Sequence, residues 1–321
     1  MKAQTRVKYV NFSSAQADFP VFMEDWYLDA VCGAGNWDSV LLEQAGQVIA
    51  LWSFFIKKRW GVTYVSMPVL GRFMGPFIGS GYREEVRMAG ILERLSAMLP
   101  RFAGLSQDFH YNIRNWLPLY WSGFRQTVRY SYQVDLSDMA ACWQGLASDY
   151  RNQKIPRASE AVVVSTGDNL EAFFRVHEKS FHRRGIRSGI TYALLQKIDS
   201  ALRERNQRAI FFATDRQTGD IHAVSYLIWD RRSAYYLLAG DDPAFRSSGA
   251  GILLVWEAMN YTSNSLGLPL FDFSGSMIKS VERVRRQFGA KQQMYFRLER
   301  PLSLPFRIMA GLRAFKRSSV Q

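Results

Sequence analysis

Apolar residues recur at helical spacing over residues 18–32 (DFPVFMEDWYLDAVC), which predicts a helix with Asp18 as its N-cap and Gly33 as its stop. Three strand-like runs follow at Ser39–Glu43, Val48–Ile56 and Val62–Met67, with turn residues at 44–47 and 57–61 between them. Residues 68–82 (PVLGRFMGPFIGSGY) are too irregular for a helix and too apolar for a solvated linker, so they read as a buried crossover or a substrate-contacting loop. A second helical period covers 84–99. Strands are expected at Phe109–Ile113 and Thr127–Val134, with an aromatic segment, Asn115–Trp121, between them.

A basic helical segment, Ala140–Lys154, precedes Pro156 and marks a seam, after which a similar order recurs. A strand at Ala161–Ser165 leads to a helix over Asn169–His182, for which Asp168 and Glu171 make a candidate capping box. Another helix, Thr191–Arg205, precedes a meander of Ala209–Thr214, Ile221–Trp229 and Ser233–Ala239. A helix over 250–264 and strands at Leu270–Phe273 and Met294–Leu298 complete the pattern. These elements place the chain in the α/β (α+β) class, with an N-terminal domain at 1–145, a C-terminal domain at 146–300 and a tail at 301–321. Phe306, Ile308, Met309, Leu312 and Phe315 can share one helical face of that tail, flanked by Arg307, Arg313, Lys316 and Arg317. It is expected either to dock on the body or to make peripheral contact with a membrane.

Of the 321 residues, 48% are hydrophobic and 21% charged, which excludes a disordered chain. The net charge of +13 is uneven. Residues 1–145 carry 14 basic and 12 acidic groups, whereas residues 146–321 carry 27 and 16, so the excess lies in the second half. Such a field suits polyanions, among them CoA, nucleotide-linked sugars, tRNA and anionic lipid. Cys32 and Cys142 are the only cysteines and form no ligand spacing with the four histidines, so no metal site is expected. The N-terminus lacks an apolar run, and the expected location is cytoplasmic, with the tail able to reach the inner face of a membrane.

The densest chemical signal is Arg246-Ser-Ser-Gly249-Ala-Gly251, followed directly by the apolar helix that starts with Ile252-Leu-Leu-Val-Trp-Glu. A strand, an R-x-x-G-x-G loop and a helix N-terminus in that order make a phosphate cradle. The glycines admit a close anion, and the first-turn amides point at it with the helix dipole behind them. A pyrophosphate-bearing donor such as an acyl-CoA fits that cradle, with Arg246, Ser248, Gly249, Ala250 and Gly251 as the contacts. The other reading is a tight loop before an ordinary helix.

Around this loop the second half resembles the GNAT acyltransferases. Phe271-Asp272-Phe273-Ser274-Gly275, followed by Gln287-Phe288-Gly289-Ala290, is similar to the D-F-x-G … F-K-x-x-F-G signature of the FemABX-like branch, whose members carry two GNAT folds in tandem. The resemblance spans roughly residues 15–298. It implies two tandem GNAT-like domains, each with a mixed, mostly antiparallel central sheet flanked by helices. It also implies direct acyl transfer from acetyl-CoA or another acyl-CoA, without a covalent enzyme intermediate. The implied acceptor is a small molecule or precursor, a sugar or peptide of a cell-envelope polymer. In tRNA-using members a Lys is thought to contact the reacting carbonyl; here Arg285 stands in that place, suited to stabilising an oxyanion but poor at shuttling a proton. Those members also tend to lack a full R-x-x-G-x-G loop. Both departures favour acyl-CoA over an aminoacyl-tRNA-dependent transferase, and a non-catalytic binder of the same fold is the third reading.

Asp272 is the expected general base, or else a carboxylate that holds the backbone of Ser274-Gly-Ser276. Glu257 reads as structural. His182, Arg151, Lys154 and Tyr236 are the candidate acceptor contacts, although Arg151 and Lys154 could simply solvate their helix. Only one of Tyr235 and Tyr236, neighbours on a strand, can face a cleft. Oligomeric state is open.

Overall fold

The computed structural model describes residues 1–59, 61–183, 185, 187–275 and 277–301. The amphipathic segment expected at 301–321 therefore lies outside the described residues, apart from Pro301. The chain divides into two compact units, one built from Met1–Tyr130 together with the segment from Met294, the other from Ser131–Gln293.

The first unit begins with helices α1 (Ala3–Ala15) and α2 (Asp25–Cys32). The helix expected from residue 18 starts later, because Pro20 leaves only a short 3₁₀ turn at Val21–Met23 before α2 begins, with Glu24 at its N-cap position. Asp18 does not cap it; its carboxylate accepts two hydrogen bonds from the Arg83 guanidinium at 2.6 and 3.0 Å. Strands β1 (Trp37–Gln44), β2 (Gln47–Arg59) and β3 (Val62–Ser66) form an antiparallel meander. The Gly/Pro-rich segment 68–82 contains a short strand, β4 (Pro76–Ile78), paired with β2, and its Phe73, Met74, Phe77 and Ile78 are buried. Helix α3 (Glu85–Met98) then leads to β5 (Gly104–Asp108).

That strand lies just before the run Phe109–Ile113 that the apolar pattern had favoured. β5 is mostly polar, yet Gln107 and Asp108 are buried, because Gln107 bonds Trp52 Nε1 and Asp108 pairs with Arg297. Helix α4 (Leu117–Trp121) and strand β6 (Arg125–Asp135) follow, and within β6 the chain passes into the second unit.

The second unit opens with α5 (Met139–Gln144), a π-helical turn at Tyr150–Lys154 and α6 (Ile155–Ala161). Next come β7 (Val162–Gly167), α7 (Leu170–His182), α8 (Tyr192–Arg203), β8 (Arg208–Asp215), β9 (Ile221–Trp229) and β10 (Ser233–Asp241). The N-cap of α7 is Asn169, which accepts from Ala172 N at 2.9 Å; the predicted cap, Asp168, instead binds Arg208. Helix α9 (Ala250–Asn260), strand β11 (Leu270–Asp272) and helix α10 (Lys279–Gln287) precede the last strand, β12 (Lys291–Pro301), within which the chain returns to the first unit.

Strand order in the second unit is β6-β11-β10-β9-β8-β7, antiparallel except for the parallel β11–β10 pair. In the first unit β12 pairs antiparallel with β5, and β5 pairs parallel with β3. Both units are thus mixed, mostly antiparallel sheets flanked by helices.

The unit boundary at Tyr130/Ser131 falls earlier than the seam read near residue 145. The reason is packing: Val134, Leu136, Cys142 and Leu146 belong to the core formed with Leu253, Leu254 and Phe271. Conversely, Phe296 and Leu298 of β12 pack with Trp52, Leu92 and Leu105 in the core of the first unit.

Candidate functional site

In the second unit, β10 and β11 pair for only three residues, Ser233–Tyr235 with Leu270–Asp272, and the pairing stops where β11 ends. Just past that point β10 carries a bulge: Tyr236 opposes Leu227 and Leu238 opposes Tyr226, so Leu237 is an extra residue with no opposite number on β9. A bulge interrupts the hydrogen-bond ladder and re-aims the strand. The far end of β10 leads through Pro243–Ser248 to the glycine loop and α9.

Beside these elements is a cleft of about 240 Å³ whose lining includes Tyr150, His222, Tyr236, Asp241, Arg285 and residues of the Arg246–Gly251 loop. All five residues expected in the cradle (Arg246, Ser248, Gly249, Ala250 and Gly251) line it.

The loop is built for this turn. Gly249 has φ +75°, the left-handed conformation that glycine adopts without strain, and it is the N-cap of α9. Ser248 Oγ accepts from Ala250 N at 3.3 Å, and the Gly249 carbonyl accepts from Ile252 N and Leu253 N at 3.0 and 3.2 Å.

Gly251 has a different reason to be glycine. A Cβ there would lie 2.1 Å from Asp241 Oδ1, so the carboxylate at the end of β10 rests against the first turn of α9. Gly240, one residue earlier, is tight against α7: a Cβ would stand 2.7 Å from the His177 Cα. His177 Nδ1 donates to the Ala239 carbonyl at 2.9 Å, and burial pulls the imidazole below its ordinary pKa, keeping it neutral.

Arg285 lies in the cleft with its guanidinium 4.6 Å from the Phe273 ring centre and 5.6 Å from that of Tyr236. Burial raises the Tyr236 hydroxyl well above the usual phenol range, against the opposing pull of Arg285, and the Asp241 charge raises it further. The Tyr150 hydroxyl is pushed up to about 12, chiefly by burial. Tyr235 points elsewhere and donates to Asp230 at 2.8 Å, so of the two strand neighbours it is Tyr236 that faces the cleft.

Other expected site residues are not brought there. Asp272 is fully buried and is absent from the cleft lining. Its Oδ1 accepts from Ser131 Oγ at 2.6 Å and Ser274 N at 2.7 Å, and its Oδ2 accepts from Gln133 Nε2 at 2.8 Å. A carboxylate so engaged does not suit a general base; its bond to Ser274 N supports a backbone turn in which Ser274 has φ +55°.

His182 is exposed on α7, with Nε2 3.9 Å from Glu178. Arg151 donates to the Gln144 carbonyl and side chain at 2.8 and 3.1 Å. Lys154 Nζ donates to Asp149 at 2.7 Å, while the Lys154 carbonyl stands behind the loop, 3.4 Å from where a Cβ on Gly249 would be. Glu257 is half-buried in a separate groove with Ser165, Thr166 and Tyr261, where burial raises its carboxyl.

Sequence reasoning missed Asp241 and His222. His222 stacks on Phe245 at 4.2 Å and has its Nε2 3.3 Å from Asp215. The available signal for Asp241 was an acid at the last strand position before the Pro243 turn. Among the described residues, no three His, Cys, Asp or Glu side chains gather as metal ligands, and no helix is long and apolar enough to cross a membrane.

Residues 149–293 match the family model described as acetyltransferase (GNAT) domain. No curated protein sequence matches the chain. Among solved structures, FemX covers 92% of this chain and 96% of its own, at 11% identity and a TM-score of 0.69. A tandem GNAT protein from the clavulanic acid biosynthesis pathway covers 82% of each chain at 10% identity and a TM-score of 0.51. L-PGS from Bacillus licheniformis covers 91% of this chain and 94% of its own, at 12% identity and a TM-score of 0.56. The chain therefore has a tandem GNAT fold of the FemX kind, and residues 149–293 of its second unit match a GNAT acetyltransferase domain. The short β10–β11 pairing, the bulge and the glycine loop all fall within the matched residues.

Proposed function

We propose that this protein is an acyl-CoA-dependent N- or O-acyltransferase that works by direct transfer in the cleft of the second unit. The observation that carries the reading is the cleft along β10 beyond the end of its pairing with β11, beside the bulge at Leu237 and directly upstream of the Arg246–Gly251 loop. A strand that outruns its neighbour gives a thioester arm a path along its backbone. A bulge supplies backbone donors for the carbonyl, and the glycine loop takes the phosphates.

In this reading an acceptor amine or hydroxyl attacks the thioester carbonyl. Arg285 favours the negative charge that develops on the carbonyl oxygen. Tyr236, which lines the same cleft, donates a hydrogen bond to the departing sulfur. Arg246, Ser248, Gly249, Ala250 and Gly251 hold the diphosphate. The acceptor's proton passes through water to the departing sulfur, which leaves as the thiol; it does not go to Asp272, whose oxygens are already engaged. The acceptor class, a sugar or peptide precursor of an envelope polymer, rests on the FemABX-like resemblance.

Scanning fluorimetry with CoA and with charged tRNA, followed by thiol release from a panel of acyl-CoAs, tests this reading. A ligand that binds the native state raises its apparent stability. Stabilisation by CoA and acceptor-dependent thiol release are expected; stabilisation by aminoacyl-tRNA alone would replace it. That second reading, an aminoacyl-tRNA-dependent transferase that extends a peptidoglycan stem peptide, draws on the Asp241 carboxylate at Gly251, where a diphosphate would otherwise sit.

A further inference from the structure

The cradle at the start of α9 differs from a bare helix N-terminus in one respect. The Asp241 carboxylate stands inside it, with Oδ1 2.1 Å and Cγ 3.0 Å from the position a Cβ on Gly251 would take. Asp241 and Gly251 both line the cleft. A negative group at the first turn is favoured by the helix dipole and by the first-turn amides, the same features that favour a phosphate.

Nearby amides are already engaged: Ala250 N by Ser248 Oγ, Ile252 N and Leu253 N by the Gly249 carbonyl. The cations that could offset a second anion are Arg246 and Arg285, which line the cleft. Lys154 and Arg151 are committed to Asp149 and Gln144.

We propose that Asp241 is a specificity-determining residue, an internal anion that holds the diphosphate position of the cradle. A donor carrying a diphosphate enters only by displacing this carboxylate. The residue thereby discriminates against free CoA and other diphosphates, and favours donors whose remaining contacts are strong enough to move it. For its ligand the inference rests on the acyl-CoA reading, but it is measured separately.

The experiment is calorimetric titration of CoA into the full chain and into Asp241→Asn, Asp241→Ala and Glu171→Gln. The last removes one acidic charge from an exposed position in the first turn of α7, as a control for net charge. Removal of a facing charge a few ångströms away should tighten CoA binding about tenfold or more in both Asp241 variants, while Glu171→Gln stays close to the parent. Circular dichroism melts confirm that the variants are folded, and the two substitutions guard against either one failing.

Affinity that is unchanged or weaker in both Asp241 variants overturns the proposal, and so does an absence of CoA binding by every protein. Thiol release by the parent decides the other question. If Asp241→Asn binds CoA tightly but the parent turns over no acyl-CoA, the acyl-CoA reading fails and the role of Asp241 stands.

Discussion

Ser131 donates a 2.6 Å hydrogen bond to Asp272, both residues being completely buried on the paired strands β6 and β11. With Gln133 and Ser274 N also donating, this carboxylate binds the strand pair together. Asp272→Ala would leave the buried Ser131 hydroxyl and the half-buried Gln133 and Ser274 donors without this acceptor, which should cost about 3 kcal/mol. Urea denaturation of the variant checks this. A variant as stable as the parent yet inactive would return Asp272 to the list of catalytic candidates.

His177 makes stability depend on pH near neutrality. Its folded pKa is lowered from 6.5 by burial, so the unfolded chain binds the proton more readily than the folded one. Stability is therefore fully present above the unfolded value of about 6.5 and is lost as pH falls from there through the lowered folded value, with a slope of up to about 1.4 kcal/mol per pH unit. The depressed carboxylates Asp18, Asp168 and Asp242 act in the same direction but below their ordinary value of 3.8, a separate window. His177→Gln, which keeps a donor for the Ala239 carbonyl, should flatten the loss between pH 7.5 and 5.5 in urea titrations. An equally steep loss in the variant would point to another group.

The shape of the glycine loop was legible because it is local. Gly249 was found as a glycine before an apolar helical period, and its left-handed φ is what that signal encodes. The order of strands and helices in the second unit also follows from local apolar spacing. What escaped needed partners distant in sequence. Asp18 and Asp168 are good caps by local rules, but Arg83 and Arg208 take them as ion-pair partners. Strand β5 is polar in sequence, and its burial is made tolerable by Trp52 and Arg297. Gly251 looked like a loop glycine, yet its reason is the carboxylate ten residues earlier. The resemblance that pointed to Asp272 rested on the D-F-x-G match and a strand position, and only the hydrogen bonds separate a structural carboxylate from a base.

Asp108 and Arg297 show why the C-terminal strand is integral to the first unit. They face each other in the β5–β12 register and share two hydrogen bonds of 2.6 and 2.7 Å, with both side chains largely buried. Removal of one partner leaves an uncompensated buried charge, so Asp108→Ala should lose about 4 kcal/mol. The apolar pair Asp108→Leu with Arg297→Met should recover most of that loss, since a well-packed apolar pair escapes the desolvation penalty. Chemical denaturation of the three proteins distinguishes the pair from a simple packing defect, in which the double variant would be worse than the single.

Gly251 and Asp241 should be coupled in stability. Alanine is the better residue inside a helix by about 0.8–1 kcal/mol, so Gly251→Ala would ordinarily stabilise α9. Here the new Cβ would lie 2.1 Å from Asp241 Oδ1, and the carboxylate must leave its place against the helix start. Because the obstacle is the end of a side chain and not backbone, the carboxylate can swing aside, and the cost should about cancel the gain in helix propensity. In an Asp241→Ala background nothing stands in the way, and Gly251→Ala should then add about 0.8 kcal/mol. The four proteins of this cycle, compared by urea denaturation, should give a coupling energy of about 0.5–1 kcal/mol, at the lower end of the range of about 0.5–3 kcal/mol found for residues in contact. Equal effects of Gly251→Ala in the two backgrounds would mean that Asp241 does not rest on the start of α9, and the selectivity assigned to it would lose its structural basis.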